Sequence, residues 1–193
     1  SIMHTGIKGV QEMKKDLTNS QLDRQNILNN NMALEEIRNT SNIQGVWFED
    51  KVYFTKNMVA EFFEVDIRTI ERCVSANLPE LEKNGYEIIK GTRLKGFIEA
   101  ASLFNAAGID IGIISNKTTL LAIFDFKAFL NIAMLLVESE NARILRQAML
   151  NIVIDLVNKK TGGATKYINQ RDQDFIGAVS YTHLRAHETS QDL

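Results

Sequence analysis

The chain has 193 residues, with 22 Lys+Arg against 24 Asp+Glu, three His and one Cys. A formal net charge of −2 excludes nucleic-acid recognition through bulk basicity, so any such binding must use a local patch. One cysteine excludes an intramolecular disulfide and any multi-cysteine metal site. No apolar run reaches the roughly 18 residues of a membrane span, and no signal-peptide pattern is present, which predicts a cytoplasmic chain.

Residues 1–40 read as a loose polar leader, with Asn29, Asn30 and Asn31 in a row and weak helical spacing at Leu22, Ile27 and Leu28. One or two frayed helices are expected there, the second near Ala33 to Arg38. Ser1 is not an initiator; Met3, Met13 and Met32 are candidate starts, with Met13 preferred. Gly45 to Phe54 alternates around Glu49-Asp50, which predicts a hairpin of GVWF and KVYF. Trp47 and Tyr53 are expected to brace it by hydrophobic packing.

Val52 to Ser75 predicts a helix-turn-helix. Thr55 can cap a first helix over Lys56 to Phe63, with Val59, Ala60 and Phe63 inward. Glu64-Val65 makes the turn, and Asp66 caps a second helix over Ile67 to Ser75. Glu64 stands where such turns often use a glycine with positive φ, a strain of around 1 kcal/mol for another residue. At about 100° per residue, Ile67, Ile70 and Val74 share one side of the second helix. Arg68, Glu71, Arg72 and Ser75 share the other. Arg suits guanine O6/N7 and Glu can accept from cytosine N4, so these four are the expected base-reading residues in a major groove. The alternative is a helix pair that only builds a core. Cys73 is expected as a buried structural thiol.

Pro79 can open a short helix that Asn84-Gly85 stops, and Tyr86 to Ile89 reads as a strand. Lys90 to Lys95 carries three cations around Gly91. In a winged arrangement it lies beside the second helix and touches phosphates; a solvated turn is the alternative. Leu94 to Ala107 has helical spacing at Leu94, Phe97, Ile98, Ala101 and Phe104. Ile109 to Ile114 and Thr119 to Phe124 predict a second hairpin. Asp125 can cap a helix over Phe126 to Leu136 that is apolar nearly all round, and so central to a core or part of a subunit interface. Asn141 to Asn158 predicts a long final helix, with Arg143 and Arg146 paired to Glu138 and Glu140. Thr161 to Lys166 lacks the spacing of a phosphate loop and reads as a linker.

FEDKVYFTKNMVAEFFEVDIRTIERCV resembles the opening of the RhuM-type proteins, once called virulence proteins, and of related phage antirepressor-like DNA-binding proteins. The family's Leu-Thr step, Ala-x-x-Phe helix and recognition helix have counterparts in Phe54-Thr55, Ala60 to Phe63, and Val65 to Ile70. FDFKAFLNIAMLLVESENARILRQAML is similar to a second block of the family. The likeness spans roughly Gly45 to Lys160; Glu64 and Ile67 depart from the usual Gly and polar residue. It implies a bacterial or phage-derived regulator that binds double-stranded DNA.

Val179 to Leu193 resembles a translated sequencing adapter and is set aside from fold and function. With it go His183 and His187; His4 lies in the leader, and no histidine remains for acid–base or zinc chemistry. The expected fold is therefore α+β and mainly helical. A winged helix-turn-helix-like region occupies 41–96, a hairpin plus helical assembly region 97–160, and a linker 161–178. No catalytic set, cofactor site or metal site is expected. Expected phosphate contacts are Thr55, Lys56, Thr69, Lys90, Arg93 and Lys95, with a homodimer as an added expectation. The alternatives are a protein-interaction module, or the targeting part of a longer enzyme or toxin.

Overall fold

The computed structural model describes residues 17–106 and 117–160. The first arm of the second expected hairpin, Ile109 to Ile114, and the stretch from 161 onward lie outside the described residues. The chain divides into two compact units, residues 44–132 and residues 1–43 with 133–193. The boundary expected at residues 96/97 falls inside a helix instead.

Among the described residues, the first unit is built on a four-stranded antiparallel sheet of order β1-β2-β4-β3. β1 (Val46–Phe48) and β2 (Lys51–Thr55) are joined by a two-residue turn in which Glu49 and Asp50 both have positive φ. That geometry matches the twist of the flanking strands. β3 (Tyr86–Lys90) and β4 (Leu120–Asp125) complete the sheet. β4 enters between β2 and β3 from far along the chain, which is why a division near residue 96 fails.

The last residue of two strands caps the helix that follows. Thr55 ends β2 and its hydroxyl accepts the Met58 N–H at 3.2 Å, while the Thr55 N–H reaches the Met58 Sδ at 3.5 Å. α3 (Lys56–Phe62) starts there. Asp125 ends β4 and accepts the Ala128 N–H at 2.9 Å, opening α7 (Phe126–Leu135). The two junctions are neighbours in the sheet, since Thr55 pairs with Ile123 and Tyr53 with Asp125.

The registers sort the side chains by face. Phe54 and Phe124 are paired on one face, and Phe54 stacks on Phe129 of α7 at 4.5 Å. Phe62 and Phe63, at the end of α3, also meet Phe129, each at 5.1 Å. Losing the Phe129 ring would cost about 3–5 kcal/mol. On the other face, Phe48 meets Phe97 of α6 (Gly91–Ala106) edge-on at 5.5 Å. α4 (Ile67–Ala76) and α5 (Leu78–Lys83) lie between α3 and β3 in the chain. The alternation that buries Val46 and turns Phe48 towards Phe97 sends Trp47 out of an edge strand, 64% exposed. It does not brace the hairpin as expected, whereas Tyr53 is buried.

A buried polar triad joins α5 to α7. The Asn84 amide donates to the Glu80 carbonyl at 3.0 Å and to Asn131 Oδ1 at 2.9 Å. The Asn131 amide donates to Glu80 Oε1 at 2.9 Å. This accounts for an asparagine, fully buried, in a helix whose one other polar residue is Lys127. α7 is enclosed by its own chain, with Phe126, Ala128, Phe129, Leu130, Ile132, Ala133 and Met134 all buried. A second subunit is not needed to cover it.

The second unit contains α1 (Gln21–Leu28), α2 (Asn31–Thr40) and α8 (Glu140–Lys160). The expected loose leader is not loose over residues 17–40. Ser20 and Asn30 cap the two helices through the N–H groups of Asp23 and Ala33. Arg24 is buried and donates to the carbonyls of Leu17 and Thr18. Leu28, Ala33, Leu34 and Ile37 are buried, and α2 packs on α8. The partner lies more than 100 residues away in sequence, so local polarity concealed the core. Arg143 pairs with Glu140 at 2.9 Å as expected. Arg146 does not form a surface pair: its guanidinium donates to the carbonyls of Ala133 and Leu136 and so satisfies the C-terminal end of α7. Burial lowers its pKa.

Candidate nucleic-acid interface

α3 ends in a Schellman arrangement. The Glu64 N–H donates to the Glu61 carbonyl at 3.1 Å and the Val65 N–H to the Ala60 carbonyl at 3.0 Å. Closing these two bonds requires a left-handed residue, and Glu64 takes it with φ 54°. The chain then turns sharply enough for Asp66 to cap α4, its carboxylate accepting the Arg68 N–H at 2.8 Å. Val59, Ala60 and Phe63 from α3 and Ile70 and Val74 from α4 are buried between the elements. Ile67, expected inward, is 37% exposed because it occupies the first helical position, before the helix turns its side towards the core.

With one side of α4 fixed in the core, Arg68, Glu71, Arg72 and Ser75 are all exposed on the other. Together with Asp66 and Ala76 they line an open concavity of about 790 Å³. The face is mixed in charge. Lys56, the first residue of α3, reaches across to Glu71, Nζ to Oε1 at 3.3 Å. The Arg72 guanidinium donates to the Thr69 hydroxyl at 3.3 Å, one turn back. Cys73 is half-buried rather than fully buried.

The expected phosphate contacts are not brought together. Thr55 is only 3% exposed and its hydroxyl serves the cap, so it is withdrawn from any surface role. Lys56 is engaged by Glu71 and Thr69 by Arg72. No wing forms at Lys90 to Lys95, because Gly91, with φ 60°, passes β3 directly into α6. Arg93 is held by the Glu87 carboxylate at 2.9 and 2.8 Å and by Glu49 at 2.9 Å. These bonds lower the Glu87 pKa, and those from Glu87 and Glu49 raise that of Arg93. Arg93 and Lys95 belong to α6, which covers the sheet face opposite the one on which α3 packs. Lys90 and Lys95 are exposed.

Sequence reasoning treated Asp66 as a cap only, yet it also lines the concavity. It missed the Lys56–Glu71 pair altogether. Fifteen residues separate the two, and no periodicity along one helix links them; only the crossing angle of α3 and α4 does. Among the described residues, no group of His, Cys, Asp and Glu is placed to hold a metal ion, and no helix is long and apolar enough to cross a membrane. Comparison with protein-family models, curated proteins and solved structures found no match to this chain.

Proposed function

We propose that this chain is a sequence-specific DNA-binding protein that presents α4 to the major groove. The observation that carries the reading is the outer face of α4: Arg68, Glu71, Arg72 and Ser75 are exposed together, on the second helix of a pair joined by a left-handed turn. Two guanidinium groups and a carboxylate supply donors and an acceptor for base edges, and the helix is anchored from behind by Ile70 and Val74. Within that class, the likeness of Gly45 to Lys160 to the RhuM-type and phage antirepressor-like proteins favours a bacterial or phage-derived regulator. A winged form of the motif would have to use an element other than Lys90 to Lys95.

The test is selection of duplexes from a random pool with the full chain, followed by affinity measurements on the enriched site. Arg72→Ala should weaken binding to that site by about 1–3 kcal/mol and relax discrimination at one base pair. A pool that enriches nothing, or an Arg72→Ala protein that binds as tightly as the parent, overturns the reading. Asp66 and Glu71 within the same concavity favour a second reading, a face for a basic protein segment. In that case duplex DNA shows only weak, sequence-independent binding.

A further inference from the structure

We propose that Lys56 is a positioning residue for base reading by Glu71, and not a phosphate contact. The inference rests on the DNA-binding reading above and assigns one residue of that site a different part. Glu71 is the one acid among the four expected base-reading side chains, and a free carboxylate there would meet the repulsion of the phosphates on either side of the groove. In the structure its Oε1 takes the Lys56 ammonium at 3.3 Å, which leaves Oε2 to accept from a base-edge amino group. The two side chains are 31% and 49% exposed, so the pair faces the surface that a duplex would cover. At such exposure an ion pair adds little to fold stability; the ordinary contribution lies between nothing and a small fraction of the whole. Its consequence is geometric. Glu71 otherwise samples three side-chain torsions, and the bond to Lys56 ties it to the first turn of α3.

Lys56 itself is placed for this by the chain on either side. Thr55 holds the start of α3 through the Met58 N–H, and Glu64 sets the angle at which α4 leaves. The ammonium therefore approaches Glu71 from a fixed anchor. An acceptor held beside a cation selects an amino donor, the N4 group of cytosine, over the carbonyl that thymine offers at the corresponding place.

The experiment uses the full chain and the duplex enriched by the parent, with its single-base variants at each position, at two salt concentrations. Lys56→Ala and Glu71→Gln should lose discrimination at the same base pair, by about fivefold or more. Lys56→Ala/Glu71→Gln should lose no more than either alone, and Lys56→Arg should restore most of the discrimination. Circular dichroism on Lys56→Arg and Glu71→Gln keeps the comparison to folded protein. A uniform loss on every duplex, with the salt slope shallower by about one, makes Lys56 a phosphate contact and overturns the proposal while leaving DNA binding intact. Unchanged discrimination in Lys56→Ala overturns it as well. A parent that enriches no duplex removes the underlying reading and this proposal with it.

Discussion

Gly85 and Asp125 occupy space that only a glycine leaves open. The Gly85 carbonyl accepts the Asp125 N–H at 3.2 Å, and a β-carbon on Gly85 would overlap the Asp125 carboxylate. Gly85 also has φ 106°, outside the range that side chains tolerate. It is thus both the stop of α5 and the seat of the residue that caps α7. Gly85→Ala should lose at least about 2 kcal/mol in urea unfolding, from backbone strain together with the displaced carboxylate. Adding Asp125→Ala should recover part of the loss. If Gly85→Ala unfolds at the parent's midpoint, the contact is not what constrains this position.

Asp125 makes the fold pH-dependent in a definite direction. Burial raises its pKa, against the opposing Ala128 N–H and the charges of Lys51 and Lys127. A carboxyl whose folded pKa is raised favours the fold when protonated; that contribution is complete below the unfolded pKa and is lost as pH rises through the folded value. Asp125→Asn keeps an acceptor for Ala128 and carries no charge. Its stability relative to the parent should rise as pH climbs from the unfolded pKa through the elevated folded one and level off above it. A difference that is flat from acid to neutral pH refutes the assignment.

Glu87 acts in the opposite sense. The Arg93 hydrogen bonds lower its pKa, so its contribution is present above the unfolded pKa and disappears as pH falls through the folded one. The partners are 41% and 39% exposed, and solvent screening limits the pair to about 1 kcal/mol or less. Glu87→Gln should therefore be slightly destabilised at neutral pH and match the parent in acid. Arg93→Ala should leave affinity for any selected duplex unchanged, since Arg93 lies on the far side of the sheet from α3. A clear loss of DNA affinity in Arg93→Ala would contradict that placement.

Glu64 is a removable strain. The left-handed conformation costs a non-glycine residue about 1–2 kcal/mol, and a glycine forfeits roughly 0.5–1 kcal/mol through its freer unfolded chain. Glu64→Gly should then gain about 0.5–1 kcal/mol by thermal or urea unfolding, whereas Glu64→Ala gains nothing. A destabilised Glu64→Gly protein would mean the Glu64 side chain does more than occupy the turn.

The Glu80–Asn84–Asn131 triad should show strong non-additivity. Asn131→Leu removes the Asn131 hydrogen bonds to the Glu80 carboxylate and the Asn84 amide, both inside the core, a loss of about 1–3 kcal/mol. Replacing all three with apolar residues of similar size should cost less than that single change. A triple variant that loses the sum of three single losses would show the groups to be independent.

Sequence by itself determined the parts of this protein that repeat locally. Spacing at 3.6 and at 2 placed α3, α4, α7, α8 and the four described strands within a residue or two, and short-range chemistry named the caps Thr55, Asp66 and Asp125. It also put Arg68, Glu71, Arg72 and Ser75 on one outer face, because helical phase is a property of consecutive residues. The tertiary structure decided whatever depends on partners distant in the chain. The partner of α2 is α8, the acid partners Glu49 and Glu87 take Arg93 out of the site, and Lys56 is drawn to Glu71 by the crossing of two helices. The difference has one cause. A hydrogen bond within a turn depends on residues three or four apart, whereas an ion pair or a buried face depends on which elements the rest of the chain brings alongside.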